Sequence, residues 1–265
     1  MSIDAAKLLL QDRYAPITSS MGFLGSDPET ASQAFLAWRN EIGVPFHTSA
    51  TARKVAGNLP SVLDALLPLQ IGSPVRYLFL PTHGRWTAYF DSGYRGTDPS
   101  AIAYMAGRLT CRTLWIVATP HTLQQSGVPR RGRQGALVFE VYDPAEGGRS
   151  DLTRQIRLAN DAGKWEFDQT GSPLPFEDTV QHKARTTSAR FSLDALALYL
   201  ESLGIHAFDD KFYMPAESPR PTIIEVSGMP KRWGSNVSLK RARRLNGIED
   251  GLRLFGRLVS RRGYF

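Results

Sequence analysis

The order of hydrophobic and polar residues places the strands of this chain. Residues 75–80 and 86–91 are rich in aromatic and aliphatic side chains, and the turn-forming segment 81–85 separates them, which predicts a β-hairpin. Residues 114–118 are apolar throughout, as expected for a central strand buried on both faces. A further strand is predicted over 136–142, and a second hairpin over 154–168. The large side chains of the first runs are expected to be buried in one sheet: Trp86, Phe90, Leu114, Ile116 and Phe139.

Helix starts are marked by capping residues in front of apolar stripes. Asp27 precedes a proline that suits the first helical position, and Asp98 precedes Pro99 in the same way. Ser192 introduces an amphipathic helix that Gly204 ends. The pattern also predicts helices over residues 3–11, 59–67, 100–109, 181–190 and 238–262, and short strands over 211–214 and 222–226.

Strands and helices follow one another without a regular βαβ alternation. This order favours an α+β fold with a central, mostly antiparallel or mixed sheet flanked by helices. The chain has 265 residues, of which 42% are hydrophobic, and this is enough to bury a large core. We predict a body over residues 1–230, with N-terminal helices in 1–68 and a sheet-containing core in 74–226. Residues 231–265 are predicted to form a basic C-terminal helix packed on that body.

Positive charge is concentrated at the C-terminal end. Residues 231–265 contain ten Lys and Arg residues against two acidic ones, whereas the rest of the chain is nearly neutral. The apolar positions of the predicted helix recur at helical spacing and are expected to dock on the body: Leu245, Ile248, Leu252 and Phe255. The arginines between them are expected to face solvent: Arg241, Arg244, Arg253 and Arg257. They are then either simply solvated or available to nucleic-acid phosphate, an anionic membrane surface or an acidic protein.

The loop 91–98 holds a dense group of polar side chains at a strand end. An enzymatic interpretation uses Asp91, Tyr94, Arg95 and Asp98 as acid, base and hydroxyl groups. The structural interpretation, in which Asp91 caps a turn and Asp98 starts a helix, is favoured. No histidine has the spacing of a metal site, and no phosphate-binding or nucleophile motif is present. We therefore expect no catalytic residue, no metal and no cofactor. Five further acids are expected to be solvated: Asp161, Glu166, Asp168, Glu177 and Asp178.

Two stretches, residues 86–98 and 163–177, combine turn glycines with aromatic anchors. Shorter matches follow at 109–112, 189–191 and 199–205. Together they resemble a family of uncharacterised bacterial proteins that is similar to the immunity proteins encoded beside polymorphic toxins. The resemblance covers residues 75–214 and leaves the basic tail outside it. It implies a protein that neutralises a toxin by binding it, and it carries over no catalytic residue.

The sequence favours a non-enzymatic cytoplasmic binding protein of the immunity type, which occludes a cognate toxin. Loops dense in Arg, Tyr and Trp suit interface anchoring. The expected contact residues are Tyr94, Arg95, Asp98, Arg130, Arg131, Arg133, Arg241 and Arg244. A nucleic-acid-associated protein that uses the basic helix is the alternative, and an enzyme centred on residues 91–98 ranks third. A single cysteine, Cys111, and the lack of a signal pattern or a long apolar run favour the cytoplasm and no membrane span.

Overall fold

A computed structural model describes residues 3–123 and 132–248. Within these ranges the chain forms a nine-stranded antiparallel sheet and a two-stranded ribbon. In chain order the strands are β1 (Ser20–Leu24), β2 (Ser49–Lys54), β3 (Leu69–Gly72), β4 (Arg76–Pro81), β5 (Thr87–Asp91), β6 (Thr113–Thr119), β7 (Ala136–Pro144), β8 (Ser150–Asp161), β9 (Lys164–Thr170), β10 (Thr222–Ser227) and β11 (Gly234–Val237). The sheet order is β2-β10-β4-β5-β1-β6-β7-β8-β9, and β3 pairs with β11. The predicted α+β class with an antiparallel sheet is confirmed.

The described residues also form helices α1 (Pro28–Gly43), α2 (Leu59–Asp64), α3 (Pro99–Leu109), α4 (Leu193–Ser202) and α5 (Leu239–Leu245). Each begins behind a side chain that accepts a hydrogen bond from a backbone N–H group of the first turn. These capping residues are Asp27, Asn58, Asp98, Ser192 and Ser238. The helix starts predicted at Asp27, Asp98, Ser192 and Ser238 are therefore confirmed.

Both faces of the large sheet are covered, because successive residues of a strand point to opposite sides. On one side, Leu78 of β4 and Phe90 of β5 join a core that includes α2, α4 and the N-terminal segment. On the other side, Phe79 and Tyr89 pack with Phe35 of α1 and with α3. The side chains predicted to fill the sheet are all buried, with at most 2% of their surface exposed: Trp86, Phe90, Leu114, Ile116 and Phe139.

Strand β1 lies between β5 and β6 near the middle of the sheet, although the sequence pattern does not predict it. All of its residues are buried, so it lacks a polar alternation, and Gly22 interrupts its apolar run. Packing requires this glycine, since a Cβ atom there would lie 2.4 Å from Cδ1 of Ile102 in α3. The close approach of α3 to β1 thus explains a glycine that resembles a break in the sequence.

Three short segments of the described chain differ from their predicted structure. Residues 3–11 contain 3₁₀ turns rather than a helix, because Leu10 and Gln11 adopt left-handed backbone conformations. Residues 181–190 form separate 3₁₀ turns, since Ala184 is extended and the threonines that follow it are poor helix formers. Residues 211–214 contain part of a 3₁₀ turn, capped by Asp209, in place of the predicted strand.

The basic C-terminal helix ends earlier than predicted. Helix α5 stops at Leu245, where the Asn246 side chain donates to the Ala242 carbonyl oxygen at 2.8 Å and Gly247 adopts a φ of 69°. Leu245 is 52% exposed, so its predicted docking is wrong, whereas Ile248 is buried as predicted. The other predicted tail positions lie outside the described residues: Leu252, Arg253, Phe255 and Arg257.

Candidate functional site

A pocket of about 290 Å³ opens between α1, the start of α3 and the segment that follows β10. Tyr89 and Asp91 of β5, each only 1% exposed, are among the residues that line it. Its walls are aromatic: Trp38, Phe46, Tyr77 and Trp233. A concave, largely apolar site with a few converging polar groups is typical of ligand binding. We call it the Arg39 pocket after the guanidinium group that lines it.

Aromatic contacts hold these walls in place. Trp38 stacks on Tyr104 of α3 with ring centroids 4.5 Å apart, and the Phe46 ring meets the Trp233 ring edge-on at 5.1 Å. The Trp233 carbonyl oxygen accepts from the Ser73 N–H at 3.1 Å, which links Trp233 to the end of β3. The pocket is therefore pre-formed by packing between α1, α3 and the two-stranded ribbon.

Arg39 has unused hydrogen-bonding capacity. Its guanidinium carbon lies 5.6 Å from the Trp38 ring centroid and 5.3 Å from that of Tyr77. Among the described residues it forms no salt bridge, and its buried Nε has no acceptor. The buried Tyr89 hydroxyl has no partner in the same part of the chain. Arg39 thus brings to the pocket a guanidinium group that forms no hydrogen bond or salt bridge within the described residues.

Asp91 organises the loop that the sequence marks as a candidate enzymatic centre. Its Oδ1 accepts from the Gly93 N–H at 2.8 Å, and its Oδ2 accepts from the Asp98 N–H at 3.0 Å. Asp98 accepts in turn from the Ser100 N–H at 2.8 Å. Burial raises the pKa of Asp91 to about 7, although the two backbone donors favour its charged form. Both carboxylates hold backbone groups, which is what the structural interpretation requires.

The residues predicted in the loop 91–98 separate onto different surfaces. Asp98 lines the Arg39 pocket, whereas Tyr94 packs against the core on the α4 side of the sheet. Arg95 is exposed, and its guanidinium carbon lies 5.2 Å from the Tyr94 ring centroid. The Tyr94 carbonyl oxygen accepts from the Asn246 side chain at 2.7 Å, so the end of α5 contacts this loop.

Arg133, predicted to bind a partner from an exposed loop, is buried instead, with 8% of its surface exposed. Its terminal nitrogens bind both carboxylate oxygens of Asp12, with 3.2 Å between Nη1 and Oδ1. The two residues are 121 positions apart, so no local pattern could reveal the pair. It joins the N-terminal segment to the chain that leads into β7. Arg130 and Arg131 lie outside the described residues.

The arginines of α5 differ in their surroundings: one contacts the N-terminal segment and two are exposed to solvent. Arg243 donates to the carbonyl oxygens of Asp12, Arg13 and Ala15, at 3.0 to 3.1 Å. These contacts hold α5 against the N-terminal segment. The predicted contact residues Arg241 and Arg244 are both exposed, and their part in recognition stays a prediction.

Glu177 is not one of the solvated acids that the sequence predicts. Its side chain is fully buried and pairs with Arg154, whose side chain is 1% exposed, through an Nε–Oε1 contact of 2.8 Å and an Nη2–Oε2 contact of 2.6 Å. Arg154 also donates to the Gly171 carbonyl oxygen at 2.9 Å. This pair fastens the segment 171–177 to β8, so its role is structural.

An apolar surface adjoins the mouth of the Arg39 pocket. Ile42 at the end of α1 is 36% exposed, Val44 is 71% exposed and Phe46 is 53% exposed. Half-buried Trp233 extends this group, because its ring contacts that of Phe46. We call the four side chains the Phe46 surface. Clustered apolar side chains of this size mark interaction sites more often than isolated ones do.

Other features of the described residues narrow the description of the site. They contain no group of three His, Cys, Asp or Glu side chains placed to hold a metal ion. None of the helices within residues 3–123 and 132–248 has the length and apolarity needed to cross a membrane. Comparisons with protein-family models, curated proteins and solved structures find no match to this chain. Fold and site therefore define an α+β protein with an aromatic pocket beside an apolar surface.

Proposed function

We propose that the protein is a cytoplasmic, non-enzymatic binding protein of the immunity type, which neutralises a bacterial toxin by covering the toxin's active site. The observation that carries the proposal is the Phe46 surface, where Val44 and Phe46 expose 71% and 53% of their area. Aromatic and aliphatic anchors of this kind supply most of the binding energy in protein interfaces. The resemblance of residues 75–214 to immunity proteins supports the class of partner.

A fixed backbone presents the two most exposed anchors. Val44 and Phe46 lie in the 3₁₀ turn Val44–Phe46, where the His47 N–H donates to the Val44 carbonyl oxygen at 3.2 Å. The Thr48 N–H donates to the Gly43 carbonyl oxygen at 3.1 Å and closes the turn. A Cβ at Gly43 would lie 2.6 Å from the Thr48 carbonyl oxygen, so this close approach requires glycine. Anchors already held in place lose little conformational entropy on binding.

The carboxylates of the loop 91–98 support a binding role over an enzymatic one. Asp91 uses both oxygens to accept from backbone N–H groups, and Asp98 caps α3. A general base needs an oxygen that can reach a substrate proton. The cap and turn contacts engage these carboxylates in the fold, so they favour a structural role.

Nucleic-acid binding is the second candidate, and the exposed side chains of α5 favour it. Lys240, Arg241 and Arg244 all lie at the surface. Basic side chains on one element suit phosphate groups, and such binding weakens steeply as salt concentration rises. Binding to a protein through the Phe46 surface depends far less on salt, because its contacts are apolar. A salt titration therefore separates the two candidates.

Co-expression with the product of the neighbouring reading frame tests the proposed function. The protein should restore growth to cells that produce this toxin and should co-purify with it. Phe46→Asp should abolish both effects, because it places a charge in the centre of the contact. Leu198→Asp is the matched control, since Leu198 is 61% exposed on α4, across the sheet from α1. Equal loss of protection with both variants, or protection by Phe46→Asp, would contradict the proposal.

A further inference from the structure

The polar groups that line the Arg39 pocket differ in whether they already have hydrogen-bond partners. Asp91 and Asp98 already accept from backbone N–H groups. Arg39 and Tyr89 carry buried polar atoms that have no partner among the described residues. Tyr89 is only 1% exposed, so bulk water does not compensate for the missing hydrogen bond. The guanidinium of Arg39, which lines the pocket without a hydrogen-bond partner among the described residues, therefore favours a ligand that brings a hydrogen-bond acceptor.

Arg39 gives the acceptor a charge. Its guanidinium lies over the Trp38 and Tyr77 rings, and a guanidinium held in this way can still bind a planar carboxylate through its N–H groups. A second cation is disfavoured, because Arg39 already occupies these aromatic faces. A phosphate dianion is disfavoured, because Asp91 and Asp98 line the same pocket. A monoanionic carboxylate meets half of this repulsion, because it carries half the charge, and its single charge matches that of Arg39.

The size and walls of the pocket select the rest of the ligand. Its volume of about 290 Å³ matches roughly ten water-sized volumes and hence a molecule of about ten non-hydrogen atoms. Trp38, Phe46, Tyr77 and Trp233 offer apolar and aromatic contact. We propose that the Arg39 pocket binds a free small-molecule carboxylate with a flat apolar body. Its carboxylate lies on the guanidinium of Arg39.

Calorimetric titration of the full chain with phenylacetate, phenylacetamide and acetate tests this site. Phenylacetate should bind saturably, and the neutral amide should bind at least about tenfold more weakly, because it cannot form the charge-assisted contact. Acetate should also bind more weakly, because it lacks the apolar body. Ligand-observed NMR of the same three compounds provides an independent readout.

Variants assign the binding to the named residues. Arg39→Gln should weaken phenylacetate binding at least about tenfold. Tyr89→Phe should not lower the thermal melt, because it removes a buried hydroxyl that has no partner among the described residues. Arg53→Gln, which alters an exposed arginine on β2, is the control and should bind as the wild type does. Arg39→Lys keeps the charge and should bind between wild type and Arg39→Gln.

Three results would overturn the assignment: no saturable binding of phenylacetate, equal binding of the amide, or full binding by a folded Arg39→Gln variant. The assay contains no partner protein, so its outcome is independent of whether the Phe46 surface binds a toxin. The pocket and the surface can therefore be tested separately on the same preparation.

Discussion

Asp91 should give the protein a measurable pH dependence of stability. Burial raises its pKa from the ordinary value of 3.8 to about 7 in the folded state. Because the folded-state pKa lies above the unfolded one, the folded chain holds this proton more tightly. The contribution is full below the unfolded value and is lost as the pH rises through the folded one. A shift of about three units corresponds to about 4 kcal/mol, of which about 2–3 kcal/mol disappears between about pH 5 and about pH 8.5.

Asp91→Asn removes this titration, and urea unfolding across the pH range measures the effect. The variant should be less stable than wild type at low pH, because the amide nitrogen cannot accept from a backbone N–H. The free energy of unfolding of wild type minus that of Asp91→Asn should fall by about 2–3 kcal/mol as the pH rises from about 5 to about 8.5. Other groups cancel in this difference, including His121 and His182, whose pKa values are lowered by burial.

Parallel stability curves for wild type and Asp91→Asn would refute this reasoning. A ¹³C NMR titration of the Asp91 carboxyl carbon gives a second reading that does not depend on the variant. A midpoint near pH 4 in the folded protein would show that the two backbone donors fully offset the effect of burial on the pKa.

Further variants test the core, the buried ion pair and the basic helix. Phe90→Ala should lower the free energy of unfolding by about 3–5 kcal/mol, since Phe90 is fully buried, and an unchanged thermal melt would refute its placement. Glu177→Gln should be destabilising by about 3–5 kcal/mol in urea unfolding, because Arg154 is left buried without its anionic partner; a loss below about 1 kcal/mol would contradict this. Arg241→Glu combined with Arg244→Glu should keep the melt and slow association with an acidic partner at low salt. If wild type and the double variant have equal on-rates at low salt and again at high salt, these arginines do not steer association.

The sequence predicted those helices and strands that are stabilised by interactions between residues close together in the chain. The pairs Asp27-Pro28 and Asp98-Pro99 mark helix starts because a capping side chain and a fixed φ act within one turn. The hairpin of β4 and β5 follows from two β-favouring runs around a short turn. Strand β1 was not predicted, because the contact that requires its glycine, Gly22, is made by Ile102, which is distant in the sequence.

The candidate site could not be predicted in the same way. The Arg39 pocket joins Trp38 of α1, Tyr89 of β5 and Trp233 beside β11, and only the sheet order brings them together. The sequence of the loop 91–98 fits both an enzymatic and a structural interpretation, because helix caps and catalytic groups use the same residue types. Glycines and arginines surround Arg133 in the sequence, and this pattern is typical of an exposed loop. Its burial is explained only by its ion pair with the distant Asp12.

The most direct test of the central claim is the dissociation constant for the product of the neighbouring reading frame, the proposed toxin partner, measured by calorimetry at physiological salt. Wild type and Leu198→Asp should bind with affinities that agree within about twofold, because Leu198 lies across the sheet from the Phe46 surface. Phe46→Asp should weaken binding by at least about thirtyfold, as expected for the loss of a central anchor worth about 2 kcal/mol or more. Undiminished binding by a folded Phe46→Asp variant would show that the Phe46 surface is not where the partner binds.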